Sequence, residues 1–499
     1  MSATPSEPLF LVADVGTTGA KVGFVTPHGR VVATGYYDYD LVTRVGGVVE
    51  QDPDAWWHGL CRTLRPLLST LDGGMRSVVG VGLCGQMHSL VCLDATGAVI
   101  RPAIIWMDQR SEPIVRRMRS MPGVVESVRR CTGNFVANTY TAPKLAWLAA
   151  HEPQTVAQAS NVVLAKDYVK YRLTGELVTD YSDAAGTLLY DTTTRRWSAE
   201  MAELFKVRTD ALPALAESSE VIGAVTTDAS RASGLPAGIP VINGAADHTC
   251  HSLGAGLYRR GQASVQVGTS GSIHAYTDRP VVDPHARIVC WDFCLPRTWD
   301  CLGLTQTAGR SVAWLREAVF PGTGDEQFYA WMDDVAERGD TTMVFLPYLN
   351  GERSPLWSAD CRGAFWNVDI NHGRDDFLLA VLEGVAFSLR DNLDAVRDVG
   401  LDPGNLTTLG GIVRSPPWLR ILAGILGEPM TASDAPHTGL KGVAVLLALG
   451  LGYYDDPASA VARIADTASV PVDPKEVLLA DEKYRMYRQV REKLVEDAC

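Results

Sequence analysis

The sequence predicts an α/β protein built from two related halves. Three observations carry that reading. The turn Asp14-Val15-Gly16-Thr17-Thr18-Gly19 follows an apolar, strand-like run and returns about half a chain later as Gln266-Val267-Gly268-Thr269-Ser270-Gly271. Around the first copy, a strand meander leads into a helix and another strand, which is an α/β pattern. A chain of 499 residues is also too long for one ordinary core, so two domains are expected, 1–256 and 257–499.

The elements follow in order. Residues 9–14, 20–26 and 30–36 are apolar runs punctuated by Gly16, Gly19 and Pro27-His28-Gly29, the signature of a meander. Asp52-Pro53 reads as a helix start, with Asp as cap and Pro at the first helical position. Trp56, Leu60, Leu64, Leu67, Leu68 and Leu71 then recur at helical spacing. A strand over 77–83 ends in Gly85-Gln86-Met87-His88. In the second half, strands over 262–267 and 272–277 flank the repeated turn, and helices are predicted over 374–396, 417–426 and 440–449. Between the halves, a short strand over 238–243 breaks into Gly244-Ala245-Ala246-Asp247.

Composition narrows the function. With 46% hydrophobic and 21% charged residues the chain is of soluble globular type. A net charge of −13 without a basic run argues against nucleic acid or an anionic membrane as partner. Residues 1–8 have neither the basic region nor the apolar core of a signal peptide, and no stretch is long enough for a membrane span. A loose tail and a cytoplasmic setting are expected. The ten cysteines form no CxxC pair, which suits reduced thiols.

The duplicated turn points to anion binding. Its glycines leave room for a phosphate, successive backbone amides can form a nest, and the hydroxyls of Thr17, Thr18, Thr269 and Ser270 add donors. An ordinary glycine hairpin is the plain alternative. Only the first copy carries a carboxylate. Asp14 beside a phosphate requires an intervening cation such as Mg²⁺, unless it merely stabilises its own turn. Asp247 leaves a strand between the two halves, where a carboxylate can take a proton from an attacking hydroxyl; a helix cap is its ordinary role. Gln86-Met87-His88 and Trp106-Met107-Asp108-Gln109-Arg110 suit a neutral polyhydroxylated ligand, but equally a core Met, a surface His and an Asp–Arg ion pair. His248, Cys250 and His251 invite zinc, although closed zinc sites recruit ligands from separated segments.

These blocks together resemble the FGGY family of carbohydrate kinases, and within it the xylulokinases, nearly end to end. The resemblance rests on 14–21 (DVGTTGAK), 85–89 (GQMHS), 106–110, 141–147 (TAPKLAW), 166–168, 183–187 (DAAGT), 268–271, 346–355 (LPYLNGERSP) and Gly410-Gly411. It implies two ribonuclease-H-like domains of the actin and sugar-kinase ATPase type with a catalytic cleft between them. It implies Asp247 as catalytic base, and Gln86, Met87, His88, Asp108 and His248 as the sugar-binding set. Asp14 would face the metal. Thr17, Thr18, Gly268, Thr269, Gly309, Gly410 and Gly411 would bind the nucleotide. ATP and Mg²⁺ are the implied cofactors and D-xylulose the implied substrate, with a homodimer compatible. Ribulose, L-xylulose or a polyol such as erythritol are the rival substrates; a nucleotide switch without sugar chemistry is the rival class. Departures from the family pattern are His248 where Asn or Gln is usual, Gly-Ala-Ala before the base, Ile412-Val413 after the glycine pair, and Asn367 where Gly is usual.

Overall fold

The computed structural model describes residues 7–71, 77–433, 437–463, 468–470 and 474–496; of the expected amino-terminal tail, residues 1–6 lie outside them. The chain forms two compact units. The first comprises Met1–Tyr258 with Trp291–Trp299 and His437–Ala465; the second comprises Arg259–Cys290, Asp300–Pro436 and Asp466–Cys499. Neither unit is a contiguous half of the chain. Among the described residues no helix is long and apolar enough to cross a membrane.

The first unit is built on β1 (Leu9–Val15), β2 (Gly19–Val25), β3 (Val31–Asp38), β4 (Val78–Gly85), β5 (Val221–Ala224), β6 (Pro240–Ile242) and β7 (Ala245–Ala246). They form a seven-stranded sheet of order β5-β6-β4-β1-β2-β3, with β7 also on β4. The second sheet uses β8 (Gln262–Val267), β9 (Gly271–Thr277), β10 (Val289–Asp292), β11 (Trp299–Thr305), β12 (Asn405–Gly410), β13 (Met430–Ala432) and β14 (Ala468–Val470). Its order is β10-β11-β9-β8-β12-β13-β14.

The two sheets share one plan. In each, the strand before the Gly-Thr turn pairs antiparallel with the strand after it (β1 with β2, β8 with β9). That same strand pairs parallel with a later one (β1 with β4, β8 with β12). A further parallel strand and an antiparallel edge strand complete each side. Register then aligns Val15 with Gly85, and Val267 with Gly410. Gln86-Met87-His88 and Gly411-Ile412-Val413 therefore leave their sheets at the same topological place, each beside its own Gly-Thr turn. This is the carboxyl edge of parallel strands, where open α/β sheets hold ligands.

Helix α1 (Pro53–Ser69) begins as the sequence predicts, with the Asp52 side chain accepting from the Asp54 amide at 3.0 Å. Its buried Trp56, Leu60 and Leu64 join the core of the first sheet. Helix α2 (Ala165–Thr174) also packs there, and α3 (Asp247–Gly254) follows directly from β7. In the second unit, α4 (Gly309–Val319), α5 (Asp325–Arg338), α6 (Arg374–Asp398) and α7 (Pro416–Leu426) cover the sheet. Asn367 adopts φ 61°, a left-handed conformation that Asn tolerates better than most residues.

Candidate active site

Asp247 is the first residue of α3, one position inside the helix rather than at its cap. The cap is Ala246, which lacks a capping side chain, so the ordinary helix-cap role is not the one Asp247 fills. Its Oδ1 accepts from the His248 amide at 2.7 Å. Burial pushes the carboxyl above its ordinary range and the Asp14 charge adds to this, while His251 and His248 oppose it. One turn along α3, His251 Nε2 stands 3.5 Å from Asp14 Oδ2. Burial alone would lower His251, but its bond to Asp14 and the charges of Asp14 and Asp247 carry it above its usual value. Asp14 Oδ1 is buried without a hydrogen-bond partner. Such an oxygen is costly unless a cation or donor completes it.

The segment leading to Asp247 is held from beneath. The Ala246 amide donates to Ser182 Oγ at 3.0 Å, and Ser182 donates in turn to Asp180. Lys166 Nζ, fully buried on α2, lies 2.7 Å from Asp167, 2.9 Å from Asp180 and 2.9 Å from Asp183. Burial would pull this ammonium down, but the three carboxylates outweigh it and hold it well above its ordinary range. Lys170 Nζ bonds Asp167 at 3.1 Å and the Asn243 carbonyl at 3.0 Å, tying the cluster to the end of β6.

His88 takes φ 65°, and its carbonyl accepts from Lys144 Nζ at 2.7 Å. Burial pulls the Lys144 ammonium down to about 7, against the nearby Asp108 charge. The His88 ring bonds the Gly186 carbonyl through Nδ1 at 2.7 Å. Trp291 stands edge-on to both His88 and His248, with ring centroids 5.6 and 5.1 Å away.

The second unit holds a cavity of about 600 Å³, a size suited to a nucleotide-like ligand. Gly268 and Thr269 line it with Gly309, Arg310, Tyr329, Gly411, Ile412 and Trp418 among others. The Gly309 amide donates to the Gly268 carbonyl at 2.8 Å, and those of Ala308 and Arg310 donate to the Thr269 carbonyl. A Cβ on Gly309 would meet the Gly268 oxygen at 2.6 Å, so only glycine permits this clasp. Gly410 turns the chain out of β12 at φ 93°. The start of α4 thus lies against the Gly-Thr turn, where the helix dipole favours an anion.

Sequence comparison decides what this arrangement belongs to. The N-terminal domain model of the FGGY family of carbohydrate kinases matches residues 9–254, and the C-terminal domain model matches 263–451. The chain belongs to the FGGY family of carbohydrate kinases. As a member it is a sugar phosphotransferase, with ATP and a sugar as its small-molecule partners. It is 32% identical over 463 residues to the xylulose kinase of Escherichia coli (strain K12), covering 93% of this chain and 90% of that one. A crystal structure of a xyloylose kinase from Brucella ovis superposes with a TM-score of 0.92 at 31% identity, covering 98% and 99% of the two chains. A gluconate kinase from Lactobacillus acidophilus reaches the same TM-score at 27% identity over the same shares. Backbone similarity therefore leaves the sugar open.

Within this kinase, four residues expected at the nucleotide (Gly268, Thr269, Gly309 and Gly411) share the cavity, and Gly410 adjoins it. Asp14 and Asp247 are electrostatic neighbours joined by His251. Thr17 Oγ1 accepts from Trp106 Nε1 at 3.0 Å, and Thr18 Oγ1 lies 3.2 Å from the Tyr36 hydroxyl. Two expected sugar ligands have protein partners of their own. Asp108 is fully buried, accepting from the Val49 amide at 2.6 Å and from Arg110 Nε at 2.9 Å, so the Asp–Arg ion pair is formed. Gln86 is equally enclosed and donates to Gln51 Oε1 at 2.7 Å, while Gln51 donates to the Thr17 carbonyl. Gln86 thus braces the first Gly-Thr turn. Cys250 is buried against Cys84.

The sequence alone did not single out Trp291, Arg310, Tyr329 or Trp418. His251 had a signal: its i,i+4 spacing from Asp247 places both on one helix face. Trp291 had none, because it comes from the second half of the chain yet folds with the first unit.

Proposed function

We propose that this kinase transfers the γ-phosphoryl group of ATP to O5 of D-xylulose. The observation that carries the reading is the placement of Asp247. It starts a helix at the sheet edge, fixed by the Ser182–Asp180–Lys166 chain beneath it, with His248 and His88 joined to the same place through Trp291. Asp247 accepts the proton of the ketose hydroxyl as that oxygen bonds to the γ-phosphorus. The bond to the β,γ-bridging oxygen breaks, and its electron pair leaves with ADP. Similarity to relatives described as xylulose kinases supports the substrate assignment.

Mg²⁺ fits the residues present: Asp14 offers a buried, unpartnered carboxylate oxygen, and a second carboxylate stands nearby. Asp14 would hold the ion, which would supply charge neutralisation of the triphosphate. Thr269, Gly309 and the Gly410-Gly411 turn bind the nucleotide, and Met87, His88 and His248 contact the sugar. The domain reading is 1–256 for the sugar site and 257–499 for the nucleotide site, except that Trp291–Trp299 and His437–Ala465 fold with the first unit. ADP release measured against D-xylulose, L-xylulose, D-ribulose, erythritol and gluconate tests the assignment. The highest kcat/KM is expected for D-xylulose; a larger value for any other compound overturns it.

A further inference from the structure

Trp291 is an unusual member of the first unit. It sits on β10, in the segment Trp291–Trp299 that returns to that unit from the second half of the chain. It is only 5% exposed, and its indole N–H donates to Asn134 Oδ1. Asn134 is itself buried and fixed in orientation. Its amide nitrogen donates to the Thr132 carbonyl at 2.8 Å and the Ala185 carbonyl at 3.1 Å, and its oxygen also accepts from the Tyr140 hydroxyl at 3.1 Å. The next residue anchors the strand as well: Asp292 accepts from Arg195 Nε at 2.9 Å and from Thr192. Trp291 is therefore held at both its backbone neighbour and its polar edge.

What it holds is the notable part. His88 leaves β4 and His248 lies on α3, beside Asp247. Trp291 meets both edge-on, at interplanar angles of 71° and 73°, and Tyr140 closes the group with its ring 5.1 Å from His88. Met87 and His88 pack so closely on Gly186 that a Cβ there would meet the His88 ring at 2.6 Å. The His88 imidazole cannot retreat toward the backbone, and the indole packs against both rings. Edge-to-face aromatic pairs add modestly to area burial, and a rigid indole leaves few rotamers to its neighbours.

We propose that Trp291 is a specificity-determining positioning residue. It sets the spacing of His88 and His248, and so selects among neutral polyhydroxylated substrates by the arrangement of their hydroxyl groups. On the proposed reading His88 and His248 contact the sugar, and a sugar whose hydroxyls are inverted leaves one of these contacts unmatched. An unmatched polar group is what a site built for hydrogen bonding discriminates against. The inference rests on the ketose-kinase reading of the same site.

Steady-state kinetics of wild type, Trp291→Leu and Trp291→Phe test it, with kcat and KM measured for D-xylulose, L-xylulose, D-ribulose and ATP. Trp291→Leu is expected to raise the KM of the preferred ketose by roughly tenfold or more and to compress its preference over the other ketoses by a similar factor. The KM for ATP should stay within about twofold, since uniform loss of binding to one substrate leaves the other unaffected. Trp291→Phe, which keeps an aromatic edge, should recover most of the preference. Unchanged ketose ratios in Trp291→Leu overturn the proposal, as does a fall in kcat shared equally by all sugars, which marks a merely structural role. Wild type that turns over ATP with no ketose at all fails at the earlier step, and removes the kinase reading together with this one.

Discussion

Replacing Lys166 by Met isolates the charge cluster beneath the candidate base. The ammonium is fully buried and reaches three carboxylates, at 2.7, 2.9 and 2.9 Å. All three acids are themselves buried, and burial pushes Asp183 above its ordinary range, with Asp180 and Asp167 adding to it and Lys166 opposing. A Met of similar length fills the space but leaves the carboxylates facing one another. Breaking a buried pair in this way costs about 3–5 kcal/mol, because the stranded charge has no solvent to turn to. For units of this size that corresponds to a fall in Tm of roughly 6–20 °C, readable by calorimetry at neutral pH. Lys166→Met combined with Asp180→Asn should recover part of the loss, since one stranded charge is gone. Activity should fall as well, through Ser182 and the Ala246 amide. A Tm within about 2 °C of wild type, under ~1 kcal/mol, would refute the claim that this cluster supports the site.

Other consequences are open to measurement. Gly309→Ala should raise the KM for ATP by roughly tenfold while sparing the sugar KM, because the new Cβ must displace the Gly268 carbonyl from the cavity wall. Asn367→Val should lower stability by about 1–3 kcal/mol and Asn367→Gly should not, since the position needs a left-handed φ. The acid limb of kcat/KM should lie above the ordinary Asp value of about 3.9. On the proposal that Asp247 is the base, its charged form is the active one; burial and the Asp14 charge raise its pKa, so activity is lost earlier as pH falls. A limb at or below that ordinary value contradicts this electrostatic account.

Much of the fold was legible because its signals are local. The meander, the Asp52-Pro53 helix start and the repeated Gly-Thr turn each depend on a few adjacent residues, and the strands appear within a residue or two of where periodicity puts them. The matching order of the two sheets extends that reading, since it places GQMH and the Gly410-Gly411 turn in equivalent slots. The discontinuity of the units was not legible. Nothing local marks Trp291–Trp299 or His437–Ala465 as members of the first unit, and only long-range packing assigns them there.

The same distinction separates the site residues. Asp247 and Asp14 sit at strand ends beside small residues, which is visible in sequence. Asp108 and Gln86 sit at similar ends, but their side chains are taken up by Arg110 and Val49, and by Gln51, partners remote enough or ordinary enough that sequence left two readings open. Trp291 shows the converse, a residue with no local signature that acquires its place through tertiary contact alone.

The central claim is that Asp247 is the base for phosphoryl transfer to a ketose. The most direct measurement is product formation by wild type and Asp247→Asn with Mg-ATP and D-xylulose, followed by phosphorus NMR, with ATP binding measured calorimetrically on the same samples. The account predicts a phosphate ester at O5 for wild type. For the variant it predicts a loss of at least ~10²-fold in turnover with ATP affinity retained. Near-normal turnover by Asp247→Asn, with ATP still bound, would contradict it.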